Sequence, residues 1–224
     1  MPTLYIIATP IGNLEDMTLR ALRILKEVDT LFCEDTRVTG KLLAHFGISK
    51  PLLSLRERVQ DKAIEKAIAL LQDGKDIAYA TDAGTPGISD PGGKLVAQVV
   101  RALGSTVTIS PVPGPSALIA ASSIAGTPLD RFLFMGFPPH KKKRKKFFEE
   151  IVLAQYPVIF YESPHRIIRS LRELKEADNK KQVTKVIVCR ELTKKFETVY
   201  RGTFDEILPE IEKNPRGEFV IIVS

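Results

Sequence analysis

Three short clusters mix acids with bases directly after apolar runs. They are Glu34-Asp35-Thr36-Arg37, Tyr161-Glu162-Ser163-Pro164-His165-Arg166 and Arg190-Glu191-Leu192-Thr193-Lys194. A carboxylate beside a cation at a strand end can accept a proton and steady a developing charge. The same groups serve equally as internal salt bridges, and the residues alone divide the two readings evenly. A fourth stretch, Thr81–Gly93, holds four glycines, two prolines and two aspartates. A plain strand-to-helix connection needs only about 2–6 residues, so a longer one built of conformational specialists is a ligand loop. Within it Asp82 or Asp90 can accept from an ammonium or a ribose hydroxyl. Asp90 also reads as the cap of the helix that follows. Thr9-Pro10-Ile11-Gly12-Asn13-Leu14 is a shorter loop of the same type, where Gly12 permits positive φ or close approach of a ligand; an ordinary turn explains it equally well.

Several chemistries lack their residues. No Gly-Lys-Ser/Thr phosphate loop and no serine nucleophile elbow occurs, and two cysteines with three histidines give no zinc spacing. No structural metal is expected. Cys33 and Cys189 sit in apolar runs and are expected as buried thiols.

Charge is placed unevenly. Residues 1–113 balance, so the whole formal net charge of +6 lies in 114–224. The strongest run is His140-Lys141-Lys142-Lys143-Arg144-Lys145-Lys146. Adjacent cations repel, so a mobile loop is expected, either a solvated face or a phosphate-binding segment. Phe134, Phe137, Phe147 and Phe148 flank it and are expected mainly in the core.

The elements that position these residues follow from periodicity. Short apolar runs at Leu4–Ala8, Thr30–Cys33, Pro51–Leu55, Ile77–Ala80 and Thr106–Ser110 predict five strands. Helical stripes at 18–28, 38–46, 61–72 and 93–103 lie between them, with Thr18 as a cap and Gly47 closing the second. Continuous apolar strands joined by helices predict a parallel sheet covered on both faces, with the ligand site past the carboxyl ends of its strands. The prolines of Pro111–Ala117 mark a boundary, giving domains 1–113 and 114–224. In the second, strands at 132–136, 158–161, 184–190, 198–202 and 218–223, helices at 147–155 and 165–177, and short late connections predict a mixed or largely antiparallel sheet. No run reaches the ~18 apolar residues of a membrane span, and the N-terminal run reads as a strand and not a signal peptide.

In order and spacing, ATPIGNLEDMTLRAL, EDTR, TDAGTPGISDPG, PVPGPSA, FYESPHR and RELTKKFE resemble the bacterial 16S ribosomal RNA (cytidine-2′-O)-methyltransferases of the tetrapyrrole-methylase superfamily. The resemblance runs from residue 4 to about 223. It implies a two-domain α/β fold holding S-adenosylmethionine in a cleft, a homodimer, a cytoplasmic location and 16S rRNA in the 30S subunit as partner. It places Pro10, Gly12, Asp82, Gly84, Thr85, Ile88, Ser116, Ala117, Tyr161, Glu162, Leu192 and Gly217 at the cofactor. Glu34, Asp35, Arg37, His165 and Arg166 are expected on the RNA side, with Lys141 to Lys146 gripping phosphates. Many relatives continue into a further helical segment after the motif matching Glu218–Ser224, and more substrate affinity would then rest on the lysine run.

The expected chemistry is methyl transfer to a ribose 2′-oxygen, with Asp35 or Glu34 as base and Arg37 or Lys194 steadying the alkoxide. A corrin-precursor methylase of the same superfamily shares the cofactor loops but needs no cationic run. A non-catalytic ribosome-assembly factor would bind no cofactor.

Overall fold

The computed structural model describes residues 1–56, 60–179 and 182–224. The chain divides into two compact units, Met1–Ser116 and Ala117–Ser224.

The first unit is a five-stranded sheet of β1 (Thr3–Ile7), β2 (Thr30–Cys33), β3 (Leu52–Ser54), β4 (Ile77–Ala80) and β5 (Thr108–Val112), in the order β3-β2-β4-β1-β5. Every pairing is parallel, as the unbroken apolar strands predict. Helices α1 (Leu19–Glu27), α2 (Thr36–His45), α3 (Gln60–Gln72) and α4 (Gly92–Leu103) connect the strands. Thr18 caps α1, its hydroxyl accepting from Ala21 N at 3.1 Å, and Gly47 ends α2 at φ 65°. Two buried clusters lie on the two faces. Ile24 and Leu25 of α1 and Leu43 of α2 pack in one; Ile64 and Leu71 of α3 and Leu95 and Val99 of α4 pack in the other. Connections running one way along the sheet therefore use one face, and those running the other way use the opposite face, as right-handed crossovers require.

The second unit holds β6 (Leu133–Phe134), β7 (Val158–Glu162), β8 (Val186–Arg190), β9 (Thr198–Gly202) and β10 (Phe219–Val223), in the order β6-β7-β10-β8-β9. β10 runs antiparallel to both β7 and β8, and β6 runs parallel to β7, so the sheet is mixed. Its helices are α5 (Ala117–Ile124), α6 (Arg144–Val152), α7 (Ile167–Ala177) and α8 (Phe204–Lys213). Phe148 of α6, Leu171 of α7 and Ile211 of α8 close over Phe160, Val188 and Ile221 in one cluster.

Two helices differ from the sequence expectation. α5 follows the proline run directly and is apolar nearly all round, so it has no amphipathic stripe to betray it. α8 fills what reads as a short connection, and Pro209 lies inside it. A capping box between Thr203 and Glu206 starts it, and Phe204, Ile207, Leu208 and Ile211 bury one face. That burial, at about 1.5–3 kcal/mol per large side chain, outweighs the one backbone bond Pro209 forfeits. The cationic run also differs: α6 begins at Arg144, so only His140–Lys143 are loop. Both cysteines are buried thiols, and burial pushes Cys189 up to about 11.

Leu171 is fully buried in the second unit's core. Leu171→Ala should cost about 2–5 kcal/mol in urea unfolding followed by far-UV circular dichroism. A loss below about 1 kcal/mol would contradict the packing described.

Candidate active site

In the first sheet Ile7 of β1 sits level with Ala80 of β4 and Val112 of β5, and Ala80 level with Cys33 of β2. The residues that follow, Ala8, Thr81, Pro113 and Glu34, therefore emerge along one edge. β1 and β4 are neighbours, yet α1 and α4 leave them on opposite faces. This is a topological switch point, and it is in the crevice at such points, past the carboxyl ends, that open α/β sheets hold ligands.

The loops around that point are tied together. Thr9 N donates to Gly84 O at 3.0 Å, and Gly84 N returns to Thr9 O at 3.1 Å. Gly84 holds φ 84°, where a side chain is strained, and an added Cβ would sit 3.4 Å from Ile11 Cγ2. Gly12 lies exposed without positive φ, so the conformational role expected of it belongs to Gly84 and Gly87. Pro10 is buried, and Ile88 is exposed. Asp90 folds the loop on itself: its carboxylate accepts from the N–H of Gly87, Ile88 and Gly92 at 2.7, 3.0 and 2.7 Å. That leaves Asp82 as the loop's outward carboxylate. Its Oδ1 accepts from Asp35 N at 3.0 Å, and burial raises its pKa. Thr85 Oγ1 donates to Pro115 O at 3.0 Å, joining the segment before Ser116 to the same loop.

β2 adds the charged side of this edge. Glu34 Oε1 accepts from the Thr81 hydroxyl and from Asp82 N, so it fastens β2 to β4. Asp35 caps α2 and accepts from Arg37 N, Nε and Nη2 at 2.9, 3.0 and 2.6 Å. Arg56 Nη2 lies 3.0 Å from Asp35 Oδ2, the oxygen that Arg37 Nη2 also meets. Hydrogen bonds from Arg37, more than any other cause, hold the Asp35 carboxyl well below the usual carboxylate range. Arg37 and Arg56 thus engage both Asp35 oxygens, and these contacts compete with a role as base. Arg37, by contrast, is open, with 82% of its side chain exposed. Arg56 is a participant the sequence did not single out; only its position, just past the end of β3, connects it with this edge.

In the second sheet Glu162 of β7 and Arg190 of β8 are both level with Phe219 of β10. The turns after β6, β7 and β8 therefore share one edge as well. Here the expected site residues divide. The Glu162 side chain is wholly buried and spent inside the unit: it accepts from Ser163 N at 2.7 Å and Ser170 Oγ at 2.5 Å, and pairs with Arg166 Nη2 at 2.8 Å. Arg166 also donates to Pro138 O at 3.1 Å. Arg144, buried, donates to Glu173 Oε2, Pro139 O and Ser170 Oγ, each at 2.8 Å. Glu162 as a cofactor contact, and Arg166 and Arg144 as RNA contacts, are thus corrected: unpaired buried charge is costly, and these charges pair with one another. The spacing of Arg144, Phe147, Phe148 and Ile151 on one helical face is the signal that would have placed Arg144 inward. Lys141, Lys142, Lys143, Lys145, Lys146 and His165 remain exposed.

The β8–β9 turn is tightly built. Glu191 and Thr193 both hold positive φ, at 52° and 64°. Lys194 bonds Glu191 at 3.0 Å and Glu218 at 2.8 Å. Burial would lower the Lys194 pKa, but these two acids outweigh it and raise it. Gly217 is required where it stands, because an added Cβ would lie 2.4 Å from Glu191 Cγ. Leu192 is buried, and Thr193 Oγ1 is a buried hydroxyl with no partner among the described residues. Tyr161 is half-buried, and its burial raises the phenol pKa.

Comparison with known proteins defines the class. Residues 3–208 match the family described as tetrapyrrole (corrin/porphyrin) methylases. A uroporphyrin-III-C-methyltransferase from Thermus thermophilus superposes with a TM-score of 0.68 at 21% identity, covering 100% of this chain and 94% of that one. A cobalt precorrin-4 methyltransferase does so at 0.68 and 19%, covering 99% and 94%. Nearer relatives bear the name ribosomal RNA small subunit methyltransferase I. The Thermotoga maritima protein is 41% identical over 100% of this chain and 99% of its own length. The Xylella fastidiosa protein is 47% identical over 99% and 81%, and that of Escherichia coli O157:H7 is 44% identical over 99% and 77%. The chain belongs to the tetrapyrrole methylases and, within them, to the ribosomal RNA small subunit methyltransferase I family. Among the described residues no helix is long and apolar enough to cross a membrane.

Removing Glu162 strands Arg166 and Ser170 inside the second unit. Glu162→Ala should lower unfolding free energy by about 3–5 kcal/mol in urea titrations. A change below about 1 kcal/mol would return Glu162 to the pool of ligand contacts.

Proposed function

We propose that this protein transfers a methyl group from S-adenosylmethionine to the ribose 2′-oxygen of a cytidine in 16S ribosomal RNA, within the 30S subunit. The observation that carries the reading is the switch point between β1 and β4, where α1 and α4 leave on opposite faces, with an acid–base cluster at the same sheet edge. The names of the relatives supply the substrate class.

The donor set fits S-adenosylmethionine. Asp82 offers an outward carboxylate for the ammonium group. The Gly84–Gly87 backbone, at φ 84° and 89°, lets a ligand approach closely. Pro10 and Ile88 are assigned to the apolar carbons of the cofactor's methionine chain and ribose, Ile88 being exposed for that contact. The same proposal extends to Gly12, Thr85 and Ser116. S-adenosylmethionine supplies an electrophilic methyl on a sulfonium when bound. The chain's residues must align the 2′-hydroxyl and take its proton. Of the two carboxylates just past β2, Asp35 is committed to Arg37 and Arg56. Glu34 keeps Oε2 open among the described residues, while Oε1 is fixed by Thr81 and Asp82. Glu34 is therefore assigned the proton, and Arg37 and Arg56 are assigned to substrate phosphate. Lys141, Lys142, Lys143, Lys145, Lys146 and His165 provide further contacts to RNA. The working form is a homodimer in the cytoplasm.

Radiolabelled methyl from S-adenosylmethionine should enter unmodified 30S subunits and map to a 2′-O-methylcytidine. Label absent from RNA despite cofactor binding would overturn the assignment. In the same assay Glu34→Gln should lower kcat about 100-fold or more with unchanged cofactor affinity, as loss of a general base does. Asp35→Asn should lower kcat less than about tenfold and act mainly on KM for RNA. The reverse ranking would move the proton to Asp35.

A further inference from the structure

Phe137 is 49% exposed, yet it is held from behind. Its ring lies 5.4 Å from that of Tyr161, which in turn packs edge-on against Phe134 at 4.9 Å. The backbone beside it is fixed. Gly136 turns at φ 63°. Pro138 O and Pro139 O each accept from an internal guanidinium, Arg166 at 3.1 Å and Arg144 at 2.8 Å. Lys143 is held at φ 69°, an uncommon conformation for a residue with a side chain. Internal charges and a strained residue thus fix a surface segment that packing alone would leave loose.

What that segment displays is one aromatic face followed by Lys141, Lys142 and Lys143. All three are exposed, and among the described residues none forms an ion pair. Lys145 and Lys146 differ, each lying 3.8 Å from a glutamate one turn on. A flat ring beside unpaired cations is complementary to a base and its phosphates. An acidic peptide would use the cations and leave the ring without a partner.

We propose that Phe137 is a stacking platform for an unpaired base of single-stranded RNA, with Lys141, Lys142 and Lys143 holding the adjoining phosphates. The inference rests on the RNA-substrate reading above and specifies how the second unit grips that substrate. Arg144 and Arg166 act as positioning residues that hold the platform in place and do not touch RNA.

The test is fluorescence anisotropy of a labelled ten-nucleotide oligocytidylate at several salt concentrations, with inorganic polyphosphate as competitor and thermal melts confirming folding. Phe137→Leu should weaken oligonucleotide binding roughly 5- to 150-fold, the range for loss of one base stack, and leave the salt slope and polyphosphate binding unchanged. Phe137→Trp should restore affinity. The triple change Lys141→Ala, Lys142→Ala, Lys143→Ala should reduce the salt slope by about 2, at roughly 0.7 per phosphate. Affinity of Phe137→Leu equal to wild type would overturn the platform, and so would equal losses for oligonucleotide and polyphosphate. Methyl transfer to 30S subunits by the wild-type protein, run alongside, separates the two readings. Label in RNA with an indifferent Phe137 rejects the platform alone; no label and no oligonucleotide binding rejects the RNA reading and the platform with it.

Discussion

Two neighbouring parallel strands, β1 and β4, send their helices to opposite faces of one sheet, and most of what the first unit displays follows from that constraint. Where helices diverge, neither can cover the strand ends, so an opening is left that loops must line. The lining loops need fixed shapes without regular hydrogen bonding. The reciprocal backbone pair between Thr9 and Gly84 supplies one fixed point. Asp90, accepting three backbone N–H groups, supplies a second, and Glu34, reaching from β2 to Thr81 and Asp82, a third. With those ties made, Asp82 and Ile88 face outward on a rigid frame.

The second unit solves a different problem by related means. Its sheet edge carries a dense set of charges, most of which face one another. Glu162, Ser170, Arg144, Glu173 and Arg166 form a connected network, with Glu162 and Ser170 at its centre. Such a network contributes little net stability compared with an apolar core, but it fixes geometry sharply. Its outputs are the carbonyls of Pro138 and Pro139, and through them the surface segment that carries Phe137 and the free lysines. Arg144, which holds Pro139, comes from the same run of sequence as the cations that contact solvent, and Arg166, which holds Pro138, from the turn after β7.

That division marks how far the sequence could be read. The parallel sheet was legible, because LYIIA, TLFC and IAYA leave no polar face and their connections carry clear helical stripes. The mixed sheet was legible in kind. α5 and α8 were not, since one lacks amphipathic contrast and the other contains Pro209. Among candidate site residues, the Gly-rich loop was evident from its composition. What single-sequence patterns do not encode is the direction in which an ionisable side chain points. Arg144 and Lys143 are neighbours of one charge, yet one is buried against Ser170 and Glu173 and the other is exposed. Asp35 and Glu34 are likewise adjacent acids, yet Asp35 pairs with Arg37 and Arg56 while Glu34 reaches Thr81 and Asp82.

The central claim is that the β1–β4 crevice binds S-adenosylmethionine, and calorimetric titration of that ligand tests it most directly. Wild-type protein should bind with one site, and Gly84→Val should weaken binding about tenfold or more with an unchanged far-UV spectrum. The added side chain meets Ile11 and strains a backbone held at φ 84°, displacing the Thr9 pair. Binding by Gly84→Val indistinguishable from wild type would place the cofactor elsewhere and contradict the account.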